Sequence, residues 1–318
     1  MGWRIIEINK NCFVKLFLNN LIITGDTNIS IPINDIDVLL FSNNRINVSI
    51  NLLNELASQN ICVFFCDEKY LPNSMLFPIF GNLKTLSIFD KQLNWSNDYK
   101  GLVWQKIVYL KCNNQFEYLK YLKLLDDNQE IEIQNYINQI QPFDSTNREG
   151  HIAKIYWHTL FGVGFNRQDD NIQINKLLNY GYTILNGMVA RSIIKKGLDT
   201  RISLFHKSVY NQFALSSDLI EPFRNVVDIL VIELYKREIV SKNNAPLSID
   251  IKEICLDFIA NFKLMINGYY QQLNNAIDEF VDCLVNESFD NLTIEYSFEV
   301  DTNAEFDYFK DQDNIDLD

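Results

Sequence analysis

The chain has 318 residues, of which 47% are hydrophobic and 22% charged, with 22 Phe and 15 Tyr, enough apolar material for one large domain or two ordinary ones. Its 11 Gly and 6 Pro are too few for a fibrous or linker-like chain, and its six Cys are scattered, so neither global disorder nor a small disulfide scaffold fits. A formal net charge of −13, read whole, argues against a nucleic-acid partner.

In chain order, the first eighty or so residues read as strands. Trp3 to Ile8, Cys12 to Ile23, Asn28 to Ile33 and Asp37 to Phe41 are short runs rich in Ile, Val, Phe and Leu, punctuated by Asn-Asn, Gly-Asp and Pro. Asn19-Asn20 interrupts the second run, which predicts a hairpin. Ser49 to Gln59 has Leu52, Leu53, Leu56 and Ala57 on one helical face, and Ile61 to Cys66 reads as a buried strand. From Gly101 to about Asn286 helical periods dominate, as in Ile107 and Leu110, Ile152, Ile155 and Tyr156, or Val226, Val227, Leu230 and Leu234. Thr293 to Val300 reads as one late strand.

The expected fold class is α+β. A small N-terminal β-rich domain spans 1–80, a linker 81–100, and a larger all-helical C-terminal domain 101–300. An acidic tail over 301–318 is expected to be disordered. No run of about 18 uncharged apolar residues predicts a membrane span, and Glu7 comes too early for a secretory signal. The cysteines (12, 62, 66, 112, 255 and 283) therefore read as reduced core thiols of a cytoplasmic protein.

The charge is unevenly spread. From Asn286 to Asp318 there are 11 carboxylates and one Lys, which leaves 30 acids and 27 bases for the rest of the chain. Arg148 to Lys207 holds nine Lys or Arg against four Asp or Glu. The middle is basic, and the acidic end suits a solvated tail or a contact for a basic partner.

Chemistry has few places to reside. There are three His, at 151, 158 and 206. Walker or dinucleotide loops, a Gly-x-Ser-x-Gly elbow and a Cys/His pair are all absent, and Gly162-Val163-Gly164 alone carries little weight. What remains is the set Glu149, His206, Asp218 and Glu221, of the kind hard divalent cations take from oxygen donors with an occasional imidazole. Each member also has a structural reading. Thr146-Asn147-Arg148-Glu149 fits a capping box. Asp218 to Pro222 fits a helix start, with acids in the first turn and Pro at the first helical position. His206 fits a hydrogen-bonded core histidine.

At these residues the sequence resembles the CRISPR-associated adaptation integrases (the Cas-one family), in their type II branch. Arg148-Glu149-Gly150-His151-Ile152-Ala153-Lys154, leading to Leu160-Phe161-Gly162 and Phe165-Asn166-Arg167, resembles the family's glutamate motif. Asn179 to Leu185, then Gly197-Leu198-Asp199, then His206, resembles its histidine segment. Phe213-Ala214-Leu215-Ser216-Ser217-Asp218-Leu219-Ile220-Glu221-Pro222-Phe223-Arg224 resembles the third block. The three blocks fall in order over 148–224. Ser203-Leu204-Phe205 precedes His206 where many relatives carry a Gly-containing turn.

The resemblance implies a divalent-metal-dependent DNA integrase and endonuclease, which inserts spacer DNA into a repeat array by attack of a 3′-OH on a phosphodiester. It implies Glu149, His206 and Glu221 as catalytic ligands of Mg²⁺ or Mn²⁺, with Asp218 either a ligand or a residue behind them. Arg148, Arg167, Lys195, Lys196, Arg201 and Arg224 become candidate phosphate contacts, which position DNA without reading its sequence; Arg224 equally suits a salt bridge to Asp218 or Glu221. Implied partners are double-stranded DNA (prespacer and repeat) and a second copy bound through the β-rich domain. A small Cas-two family subunit would complete a heterohexamer, and a type II effector nuclease and an accessory adaptation protein are further expected partners. Two other functions share this sequence pattern: a metal-dependent nuclease of branched DNA without integration, and a non-catalytic scaffold.

Overall fold

The structure, a computed structural model, describes residues 2–25, 28–79, 81–82, 84–207 and 210–298. The tail expected over 301–318 lies outside the described residues.

The N-terminal part is built from strands β1 (Arg4–Ile8), β2 (Phe13–Phe17), β3 (Asn20–Thr24), β4 (Asn28–Pro32), β5 (Ile36–Phe41), β6 (Asn47–Val48), β7 (Cys62–Cys66) and β8 (Pro72–Leu76), with helix α1 (Ile50–Ser58) between β6 and β7. Leu18 and Asn19 turn between β2 and β3 with φ of 46° and 60°, the left-handed pair that a tight hairpin requires. Ser49 caps α1 by accepting from the Leu52 amide. One sheet has the order β4-β3-β2-β6, the other β1-β5-β7-β8. In the second sheet β1, β5 and β7 run parallel and β8 antiparallel.

All six residues of β5 are buried, because both faces of its sheet are covered. Leu39, Phe41 and Val63 face a smaller core shared with Val14, Leu21, Leu52 and Leu56. Val38, Leu40, Cys62 and Phe64 alternate onto the other face and enter the main core.

That main core belongs to helices α2 (Thr85–Leu93), α3 (Asn97–Tyr121), α4 (Asp127–Asn138), α5 (Arg148–Phe161), α6 (Gln173–Lys195), α7 (Ala214–Leu219), α8 (Arg224–Lys236), α9 (Ile249–Asn261) and α10 (Leu273–Val285). Helix α6 is the axis. A Cβ on Gly181 would lie 2.5 Å from Val227 of α8, and one on Gly187 2.2 Å from Phe64 of β7. Both glycines therefore exist for close approach, one to a helix and one to the sheet. Arg191 of α6 pairs with the buried Asp37 of β5, which ties the two halves together.

Two expectations need correction. The stretch 81–100, read as a linker, carries α2 and the first turn of α3. The C-terminal part is not all helical: β9 (Lys263–Ile266), β10 (Tyr269–Gln272) and β11 (Ile294–Tyr296) form a small antiparallel sheet in the order β10-β9-β11. Asn267 and Gly268 turn its hairpin with φ of 51° and 81°, and Asn-Gly is a strong hairpin signal. The late strand expected from Thr293 is β11. The cysteines are free, five of them buried and Cys66 half-buried. Among the described residues no helix is long and apolar enough to cross a membrane.

Candidate active site

Helix α3 supplies the floor of the site. Trp104, Ile107, Val108 and Lys111 recur at helical spacing and are all buried, so a lysine stands where the period calls for an apolar residue. Its ammonium Nζ bonds the Glu149 carboxylate of α5 through Oε1, and Glu221 Oε2 at 2.6 Å. Two bonds from one nitrogen hold those carboxylate oxygens within about 6 Å of each other. Burial disfavours the charge on Lys111, but Glu221 and Glu149 outweigh it and raise its pKa.

Glu149 reaches this point because α5 starts in an unusual way. Phe143, Asp144 and Asn147 adopt φ of 59°, 42° and 51°. This brings the Asp144 carboxylate to the helix N-terminus, where it accepts from the amides of Arg148 at 2.8 Å and Glu149 at 3.0 Å. Asn147 makes no side-chain cap. The expected capping box is therefore absent: Asp144 does that work, and the Glu149 side chain is left to meet Lys111.

Glu221 opens a 3-10 turn, Glu221–Phe223, between α7 and α8. Pro222 suits that turn because an early helical position leaves its missing N–H unneeded. The Glu221 carboxylate is buried between Lys111 and Arg224, whose Nε lies 3.0 Å from Oε1. Burial alone would raise its pKa; the two cations together hold it below the ordinary range.

His206 lies in the loop between α6 and α7, held from behind by Asp218. That aspartate is wholly buried and accepts four hydrogen bonds. Its Oδ2 takes the amides of Leu204 at 2.7 Å and Phe205 at 3.0 Å, and its Oδ1 takes the amide of His206 at 3.1 Å and the ring Nδ1 at 2.5 Å. A carboxylate can only accept, so Nδ1 carries a proton, and in the neutral ring Nε2 is left with its lone pair. The Asp218 bond raises the His206 pKa against the opposing effect of burial, and Glu221 and Glu149 raise it further. Phe205 stacks on Trp104 with centroids 4.5 Å apart, and the His206 ring stands edge-on to the same indole at 5.6 Å. The His206 side chain is 44% exposed and that of Glu149 26%, so this side of the site faces solvent.

Glu149 and Glu221 thus meet at Lys111 from two distant parts of the chain, and His206 is tied to Asp218, three residues before Glu221. Among the described residues no three His, Cys, Asp or Glu side chains form a ready cluster for a metal ion; Glu149 and Glu221 meet through the Lys111 ammonium, not side by side. The donor set itself fits a hard divalent cation. It offers two carboxylates already sharing one positive charge, and an imidazole whose tautomer is fixed by a carboxylate behind it.

The candidate phosphate contacts divide. Lys195 lies 2.7 Å from Asp278, Lys196 pairs with Asp282, Arg201 Nη2 lies 2.5 Å from Asp199, and Arg224 pairs with Glu221. The first two tie α6 to α10. Arg167 donates to Asn179 at 2.9 Å and lies over the rings of Trp157 and Tyr182, while Arg148 lies over Tyr136. Neither makes an ion pair among the described residues. Arg224 also stacks on Tyr182 at 4.5 Å. The Tyr182 and Tyr156 hydroxyls donate to Asp228, whose pKa burial pushes up to about 6. Sequence reasoning missed Lys111, Trp104, Phe205 and Asp144. Lys111 alone left a signal, as a charge inside an apolar helical period.

Residues 8–247 match the family model described as CRISPR associated protein Cas1. The chain is 31% identical to a CRISPR-associated endonuclease Cas1 from Neisseria meningitidis serogroup C over 283 residues, covering 88% of this chain and 90% of that protein. A Cas1 endonuclease from Francisella tularensis subsp. novicida is 25% identical over 276 residues, 79% of this chain and 84% of that one. Among solved structures, a casposase bound to its integration product superposes with a TM-score of 0.66 at 19% identity, covering 94% of this chain and 96% of that chain. A CAS1 protein from Thermotoga maritima gives 0.67 at 16% identity, covering 89% and 96%. At these identities the structural matches speak for the fold.

Proposed function

The chain belongs to the CRISPR-associated Cas1 family, and from that premise we propose that it is a divalent-metal-dependent DNA endonuclease and integrase of CRISPR adaptation. The observation that carries the reading is the convergence of Glu149 and Glu221 on one cation, beside a histidine oriented by Asp218. Glu149, Glu221 and the Nε2 of His206 would hold Mg²⁺ or Mn²⁺. Such an ion, when bound, polarises a phosphoryl oxygen and assists the attacking hydroxyl.

The protein's own residues do the rest. Asp218 keeps the imidazole in the Nδ1–H form that leaves Nε2 free. Asp144 fixes the first turn of α5 and so the stem of Glu149. Lys111 and Arg224 share the charge of Glu221 and keep that carboxylate ionised in a buried place. Arg148 and Arg167, which make no ion pair among the described residues, are the best placed of the predicted contacts to meet phosphates.

The assembly reading rests on surface chemistry. Phe13 and Phe17 lie on the outer side of β2, 64% and 59% exposed, with Lys15 between them and Leu18 beside them at 78%. Exposed aromatic residues around one lysine favour a second copy docking through the β-rich part. Solved relatives include a Cas6-RT-Cas1–Cas2 complex, and a Cas2 subunit is the companion proposed here.

The test is a strand-transfer assay with a 3′-OH prespacer, a repeat-bearing target and Mn²⁺. The joined product is expected with the wild type and absent with Glu149→Ala or His206→Ala, both still folded. Cutting without joining would favour a nuclease of branched DNA, and undiminished activity in Glu149→Ala would remove the site from the mechanism.

A further inference from the structure

Lys111 is 9% exposed, on the same face of α3 as Trp104, seven residues earlier. Its ammonium occupies the position between Glu149 Oε1 and Glu221 Oε2, the carboxylates assigned above to a divalent ion. A buried carboxylate and a half-buried one this close repel unless a positive charge lies between them. Arg224 addresses only the far oxygen of Glu221, so Lys111 alone bridges the pair.

A divalent cation cannot share that position with an ammonium, since like charges in a partly buried site repel strongly. Lysine is suited to leave. Its stem is four flexible carbons and its head a compact point charge, with no fixed fork to hold it in place. The side on which it can move is the open one, where Glu149 and His206 reach solvent.

We propose that Lys111 is a positioning residue whose ammonium holds the Glu149 and Glu221 carboxylates together ahead of the divalent ion and is displaced when that ion binds. This rests on the metal-binding reading above and adds a competition to it. Every binding event then includes the loss of two lysine–carboxylate bonds. Without Lys111 the ion meets a Glu149 carboxylate with no cation on it and a Glu221 carboxylate held only by Arg224, so it binds more tightly, while the metal-free protein is weakened by their repulsion.

The experiment titrates Mn²⁺ alone, without DNA, into the full-length wild type and Lys111→Met by calorimetry, with thermal melts in EDTA and in Mn²⁺. The expected result is at least ten-fold tighter Mn²⁺ binding by Lys111→Met. Its melting point should fall below the wild type in EDTA and recover in Mn²⁺. Lys111→Gln, which keeps N–H donors between the carboxylates without the charge, should also bind more tightly and serves if the Met variant does not fold. Equal or weaker binding by the variants overturns the proposal and makes Lys111 a fixed strut. So does failure of both variants to fold with Mn²⁺ present. A wild type and variants that all bind no Mn²⁺ bring down the metal reading itself, a different outcome from equal affinities.

Discussion

Asp218→Asn is the most searching change to the loop that carries His206. The carboxylate gathers four N–H donors, two on each oxygen, and is shut off from water. Asparagine keeps one oxygen. Whichever way its amide turns, two donors face an NH₂ group in place of an acceptor. Hydrogen bonds to a charged group are worth about 1.5–3 kcal/mol each, so losing two costs about 3–6 kcal/mol before the loop relaxes, and about 3 kcal/mol after it. The chemical effect is separate. With the NH₂ turned toward Nδ1, the proton is driven to Nε2, which then has no lone pair for a metal; with the oxygen there, the ring keeps its tautomer and loses only the charge behind it. Changes behind a metal-binding histidine typically cost about 10–100-fold in affinity. Urea denaturation with an unchanged slope reads the first effect, and Mn²⁺ titration at pH 7.5 the second; ¹⁵N chemical shifts of the His206 ring report the tautomer. A variant within about 0.5 kcal/mol of wild-type stability, with the same Mn²⁺ affinity, would refute the role given to Asp218.

Asp144→Ala removes the cap on α5 and should cost about 1–2 kcal/mol, with strand transfer falling more than DNA binding because Glu149 loses its fixed stem; loss of stability with full activity would detach the cap from the site. Asp228 makes a prediction about pH. Its folded pKa of about 6 lies above the ordinary aspartate value of 3.8, so between those values the folded chain holds a proton the unfolded chain has released. Its contribution to stability therefore falls as pH rises through that window, by up to about 3 kcal/mol. Asp228→Asn lacks this slope. Urea midpoints at pH 4.5 and 7 should show the variant gaining on the wild type toward neutral pH, and parallel behaviour of the two would rule the effect out.

How much of this was legible in the sequence depended on whether the signal was local. The hairpin at Asn19-Asn20, helix α1 and the buried strand β7 follow from period and turn chemistry carried by the residues themselves. β8 escaped notice because Pro72–Leu76 mixes exposed Asn73 and Ser74 with partly buried neighbours, which leaves no apolar run. The β9–β10 hairpin was readable from Asn267-Gly268 and was hidden only by the helical texture on either side. At the site, Glu149, His206 and Glu221 were singled out by residue type and by resemblance to a family. The placement of Glu149 depends on a left-handed turn at Asn147 and on Asp144, and the Thr146-to-Glu149 spacing pointed instead to a cap that does not form. Lys111 lies between two glutamates 38 and 110 residues away, and that distance hides its role from any local pattern.

The most direct measurement is anomalous diffraction from a crystal of the full-length protein soaked in Mn²⁺. One strong peak bonded to Glu149, Glu221 and the Nε2 of His206, with the Lys111 ammonium moved out from between the carboxylates, is the result expected. A peak elsewhere on the chain, or carboxylates still bridged by Lys111 at saturating Mn²⁺, would contradict the assignment of this site.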